Sequence, residues 1–267
     1  MQNIKNSVRH YLSVYSGFLS TCFTQATSFR LNFVLLVAMD LFFYFSSFAT
    51  VSFIFDHVET IGPWQRPELM FFIAYMLTLD QLHMTLISES FWVFSRELKT
   101  GGLDYVILKP INTVFNVFFR HIRPSTIINA VVTWSALGYY GHQAGLLWSD
   151  WILIPPLMVL SFTLLILLEF IVASSMFWLT EGLGINFLRM QMQQLGRWPD
   201  YIYAQTPRRL LTFVLPIVLV GSPPVHFLLD RSRWPYLLLM MAAIVGAAIV
   251  LSYVWKKGLR QYESASS

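Results

Sequence analysis

Six long apolar runs decide what this chain can fold into. They lie at about 31–55, 69–94, 125–147, 151–180, 210–229 and 234–255. Each holds roughly 20 mostly apolar residues, the length a helix needs to cross a bilayer. Composition agrees: 56% of the 267 residues are hydrophobic and 12% are charged, about half the charged share of a soluble domain. Continuous runs, rather than short alternating segments, speak against an outer-membrane barrel. The expected fold is therefore all-α and polytopic, with six transmembrane helices in a single domain over 31–255. The second run is the weakest, because it contains Asp80, His83 and Glu89. The fifth contains Pro216, Pro223 and Pro224, the marks of a short, kinked or re-entrant segment.

The basic residues orient the runs. With the N-terminus inside, every Lys and Arg except Arg66, Arg231 and Arg233 falls in an inner segment, and none falls within a run. Such a bias places both termini in the cytoplasm of a cell, as for a multi-pass protein of the bacterial cytoplasmic membrane. It also accounts for the pI near 9.2, so nucleic acid is not an expected partner. The inner segments 95–124 and 181–209 are long and the outer connections short, which leaves mass on the cytoplasmic side for a soluble partner. Residues 1–30 read as an amphipathic helix lying in the inner interface. Its apolar stripe is Ile4, Val8, Tyr11, Tyr15, Phe18 and Cys22. Residues 256–267 form a cytoplasmic tail.

Catalytic equipment is not legible. The chain has no phosphate-binding Gly-x-x-x-x-Gly-Lys-Ser/Thr stretch, no His pair at metal-ligand spacing and no nucleophile elbow. A lone cysteine, Cys22, offers neither an internal disulfide nor a thiolate metal site. Gly182 and Gly184 read as a helix terminus. The expectation is no catalytic residue, no metal and no cofactor in this chain. Four carboxylates lie inside runs: Asp40, Asp80, Glu89 and Glu169. An ionised acid at mid-bilayer costs about 2.5–3.5 kcal/mol on insertion scales. With no Lys or Arg in the runs, their partners are expected among His83, hydroxyls, backbone, water and protons. Two readings follow, interhelical hydrogen bonding or a proton relay.

The most distinctive text is Arg96-Glu97-Leu98-Lys99-Thr100-Gly101-Gly102-Leu103-Asp104, running on to Leu108-Lys109-Pro110-Ile111. A second is Arg197-Trp198-Pro199-Asp200-Tyr201-Ile202-Tyr203, followed by Phe213-Val214-Leu215-Pro216 and Ser222-Pro223-Pro224. In this order the two resemble permease subunits of ATP-binding-cassette (ABC) transporters of the type-2 exporter superfamily, in a subgroup that includes viologen-exporter-like permeases. Trp198 and the doubled Pro223-Pro224 depart from that pattern. The resemblance implies a permease driven by separate cytoplasmic ATPase subunits, which bind ATP and Mg. It implies a second permease chain, identical or paralogous, with the export pathway between the two in membrane lipid. It further implies that Arg96, Glu97, Lys99, Gly101, Gly102, Asp104, Lys109 and Pro110 belong to a coupling segment that contacts the ATPase. Two alternatives stay open. One is a proton-coupled secondary transporter using Asp80, Glu89 or Glu169; the other is a membrane enzyme acting on lipids.

Overall fold

In the computed structural model, residues 2–28, 30–179 and 182–262 are described, without the side chains of 2–10, Leu12 and Thr27. All regular elements among them are helical. The first is α1, Gln2–Ser28, a helix where one was expected over 1–30. The side chains of Ile4 and Val8 lie outside the described set, but Tyr11 and Tyr15 both meet the Phe115 ring, and Cys22 is buried. Then come α2, Arg30–Phe55, and α3, Arg66–Leu86. Ile87, at φ −137°, breaks the second apolar run, and α4, Ser88–Thr100, follows it. Two short helices, α5, Leu103–Ile107, and α6, Thr113–Phe118, precede α7, Ser125–Gln143. The long α8, Trp148–Ser174, continues in a 3-10 turn to Phe177. After it lie α9, Gly182–Gly196, and α10, Gln205–Arg209. The last two are α11, Ser222–Leu229, and α12, Trp234–Gln261.

The chain forms two compact units, Met1–Phe42 with Gln81–Val131, and Phe43–Asp80 with Val132–Glu263. In the first, α4 buries Ser90, Phe91, Val93 and Phe94 on one face, and Phe118 of α6 packs against both phenylalanines. The central helix of the second is α3, where every residue from Leu69 to Asp80 is buried. Its polar side chains are matched inside the bundle: Tyr75 Oη hydrogen-bonds Ser161 Oγ at 2.8 Å, and Thr78 Oγ1 donates to Ala74 O and Thr133 O. A buried hydroxyl without such a partner is costly in an apolar setting. Also in this unit, α12 packs along α8.

Four helical segments are long and apolar enough to cross a membrane: Arg30–Phe55, Arg66–Leu86, Trp148–Phe177 and Arg231–Gln261. The expected crossing at 210–229 is not a helix of that kind. Leu210–Val214 is a π-helical turn, Pro216–Val220 a 3-10 piece, and only Ser222–Leu229 is α-helical. Pro216 has no N–H for a ladder through it, whereas Pro223 and Pro224 sit in the first turn of α11, where the missing N–H is not needed. The segment also returns to where it starts, since His226 Nε2 lies 3.0 Å from Asp200 Oδ1.

The helix that follows α8 and packs against it is α9. Arg231 pairs with Asp150 in the first turn of α8, so the chain leaving the far end of α8 must come back. Halfway along, Arg189 of α9 reaches Glu169 of α8 at 2.8 Å. The helix is built inside out relative to a soluble one. Its buried stripe is Gly182, Ile185, Asn186, Arg189, Met192 and Gly196, while Leu183, Phe187, Leu188 and Leu195 are exposed. An apolar exterior over a polar, charged interior is the pattern of a helix bathed in lipid.

Candidate functional site

Three of the four acids assigned to apolar runs are engaged by arginine. Glu169 and Arg189 are 0% and 1% exposed and form a direct ion pair. Asp80 accepts from Gln193 Nε2 at 2.8 Å and from Arg197 Nη2 at 3.0 Å. Asp40 accepts from Arg123 Nη2 through both oxygens, at 3.3 and 3.2 Å, and from Asn129 Nδ2. The expectation that no Lys or Arg is available to these acids is overturned for Asp40, Asp80 and Glu169. The cause is local structure: Arg189 lies on the buried face of α9, packed against α8, and Arg197 follows directly after that helix. His83 stacks on Phe91, ring centroids 6.3 Å apart. Glu89 is exposed in the first turn of α4, past the break at Ile87, and so is not an acid within a span.

The Asp80–Arg197 pair borders a cavity. Phe43, Ser47 and Thr50 of α2, Ile73 and Met76 of α3, and Arg197 with Trp198 enclose about 260 Å³ of mixed apolar and hydroxylic surface. The Arg197 guanidinium lies over the Phe43 ring, 4.8 Å from its centroid, and this adds a cation–π contact to the ion pair. At the start of α3, a second cluster forms around Asp200, which is 0% exposed. Asp200 receives hydrogen bonds from Arg208 and Tyr236 and pairs with His226. Burial acts to raise the Asp200 carboxyl, but the hydrogen bond and charge of His226, then Arg208 and Tyr236, carry it below the usual carboxylate range. Trp64 joins this cluster through Tyr201 and His226. Gly62, at φ +62°, is required there, because a Cβ would sit 2.4 Å from the Tyr201 ring.

The segment 96–110 has a held base and an open tip. Glu97 turns inward to pair with Arg120, and Gly101, at φ +74°, ends α4 in the left-handed conformation. Gly102 lies against the Glu97 side chain, with the place of its missing Cβ 3.2 Å from Cγ. Leu103 and Val106 are buried, and Asn116 Nδ2 donates to Val106 O. Asp104 lies in the first turn of α5, half-buried. The other face is open: Tyr105 is 77% and Leu108 81% exposed, and Arg96, Lys99, Lys109 and Pro110 are exposed too. A short helix fixed on one side with aromatic and aliphatic side chains in solvent on the other is suited to docking. Residue-type reasoning alone missed Tyr105 and Leu108, whose signal was a pair of large apolar residues flanking the buried Val106.

Long apolar helices, buried ion pairs and an inside-out return helix define a helical integral membrane protein. Residues 41–266 match the family described as ABC-2 family transporter protein, and the chain belongs to that family. No curated protein and no solved structure matches it.

Proposed function

We propose that the chain is the membrane-spanning permease subunit of an ABC exporter, close in kind to the viologen-exporter-like subgroup. Six helices cross the membrane: α2, α3, α7, α8, α9 and α12, with both termini cytoplasmic. ATP and Mg are bound by separate ATPase subunits, and a second permease chain, a copy or a paralogue, completes the pathway. The chain itself performs no hydrolysis. Its cavity beside Arg197 offers apolar walls, hydroxyls and a cation, which suits an amphipathic substrate.

With α9 as a crossing, Arg208 and Arg209 join Arg66, Arg231 and Arg233 on the outer side, and the remaining unburied basic residues keep the inner bias. The observation that carries the ATPase-driven reading is α5, with Tyr105 and Leu108 standing open above a base fixed by Glu97–Arg120 and by buried Leu103 and Val106. Because Glu97 is spent on Arg120, the contact centres on Tyr105, Leu108, Lys109 and Pro110.

The test is isolation of the tagged chain from its own membranes in mild detergent. A soluble ATPase is expected to accompany it, and Tyr105→Glu with Leu108→Glu and Lys109→Glu should release that ATPase while the permease stays inserted and folded. Full retention of the ATPase by the triple variant would show that α5 is not the contact. Transport by the chain alone, with no ATPase bound, would favour the secondary transporter.

A further inference from the structure

Within the first unit, a cavity of about 560 Å³ opens between α1, α2, α4 and residues 121–125. One side is apolar, made by Ala26, Phe33, Leu36 and Val93. The other carries Arg96, His121, Arg123 and Ser125, with Glu89 exposed at the rim. Two polar atoms on this side are buried and unsatisfied. Ser125 is 2% exposed and its Oγ has no hydrogen-bond partner among the described residues. Arg123 spends Nη2 on Asp40, but its Nε is likewise buried with no partner. Leaving such donors unmet costs about 1–3 kcal/mol each, a cost that an acceptor seated against Arg123 and Ser125 would relieve.

The charge around them is of the matching sign. Arg96 makes no ion pair with a described carboxylate, and Arg120, which pairs with Glu97, also donates to His121. Burial first, then the charges of Arg120 and Arg96, push His121 down to about 4, so the imidazole is neutral at physiological pH, and with Nε2 accepting from Arg120 it keeps one N–H to donate. We propose that this cavity binds the phosphodiester headgroup of a membrane phospholipid, with the phosphate on Arg96, Arg123 and Ser125 and the chains along Phe33, Leu36 and Val93. Glu89 then meets the hydroxyl or ammonium group beyond the phosphate. A phosphodiester offers acceptor oxygens and a negative charge, which answer the two unmet donors and the free Arg96. The apolar wall is what separates a lipid from a soluble phosphate ester, and basic pockets of this kind beside membrane helices take lipid headgroups.

The test uses the purified full chain in detergent, titrated with phosphatidylglycerol and read by native mass spectrometry. One tightly held lipid per chain is expected. Ser125→Ala and Arg96→Gln should each weaken retention by about tenfold, and Ser125→Ala should leave the lipid-free melting temperature unchanged or raised, because it deletes an unsatisfied hydroxyl. Glycerol phosphate should not displace the lipid, and diacylglycerol should not be retained. Undiminished retention in both variants overturns the site. Displacement by glycerol phosphate makes the ligand a free phosphate ester and overturns the lipid. Equal retention of diacylglycerol reduces the cavity to an apolar groove and overturns the headgroup contacts.

Discussion

At Glu169, burial and charge compete directly. Removing a carboxylate and a guanidinium from water is expensive, and their attraction returns that cost only while both are present. Glu169 and Arg189 are both almost fully buried and 2.8 Å apart, so the pair stands or falls together. Glu169→Gln removes the negative charge that faces the buried Arg189 guanidinium, and is expected to cost about 3–5 kcal/mol of stability. Changing both residues at once, Glu169→Gln with Arg189→Met, should recover most of that loss. Thermal unfolding in detergent reads the comparison. If the single variant melts with the native protein, the pair is not the buried contact described. The sequence disclosed the acid and its cost but not its partner: Arg189 is 20 positions away and sits among Asn186, Gln191, Gln193 and Gln194, which read as a loop.

The same residues explain why apolar runs and long helices part company after α8. Helix assignment by apolarity favours 210–229, which is rich in Leu, Val and Pro, over 182–196, which carries an arginine and several amides. Hydropathy measures what a segment would meet if lipid surrounded it, and α9 hides its polar stripe against α8. The 210–229 segment is apolar because it is packed: Ile217, Val218, Leu219 and Val220 are all buried. Elements without that ambiguity were legible. The boundaries of α2, α8 and α12 lie close to their runs, and the Gly101 break and the helix α1 were readable from glycine and from periodicity. The break at Ile87 was not, since a β-branched residue in an apolar run gives no signal of it. If α9 crosses the membrane, Gln205, exposed just past it, faces the same side as the 56–65 connection before α3. In a Cys22→Ser background, thiols introduced at Gln205 and Glu59 should therefore label from the outside of intact cells. Labelling of Gln205→Cys only after the membrane is opened would return 181–209 to the cytoplasm and restore 210–229 as the crossing.

Across the whole molecule, the choice between ATP and a proton gradient turns on what the intramembrane acids are doing. A relay needs a carboxylate that can take up and release a proton in a hydrated path. Asp40, Asp80 and Glu169 are instead each held by an arginine: Arg123, Arg197 and Arg189. Freeing a well-buried member to cycle a proton means breaking a buried pair, at about 3–5 kcal/mol, in every turnover. Glu89, the remaining candidate, is exposed beyond the break at Ile87. Meanwhile α2 and α12 present mostly unburied apolar surface, with 11% and 17% of their spanning windows buried against 83% for α3. Acids tied to arginines in this way suit a subunit moved by a partner rather than by its own titration. In vesicles holding the chain with its ATPase, export is expected to require ATP and to persist when the proton gradient is collapsed. Asp80→Asn should weaken export together with thermal stability, because it strips Arg197 of its charge partner beside the cavity, and its residual export should remain insensitive to the gradient. Export that runs on the gradient without ATP, and is abolished by Asp80→Asn in a protein that melts normally, would assign the carboxylate a proton-carrying role and overturn the ATP-driven reading.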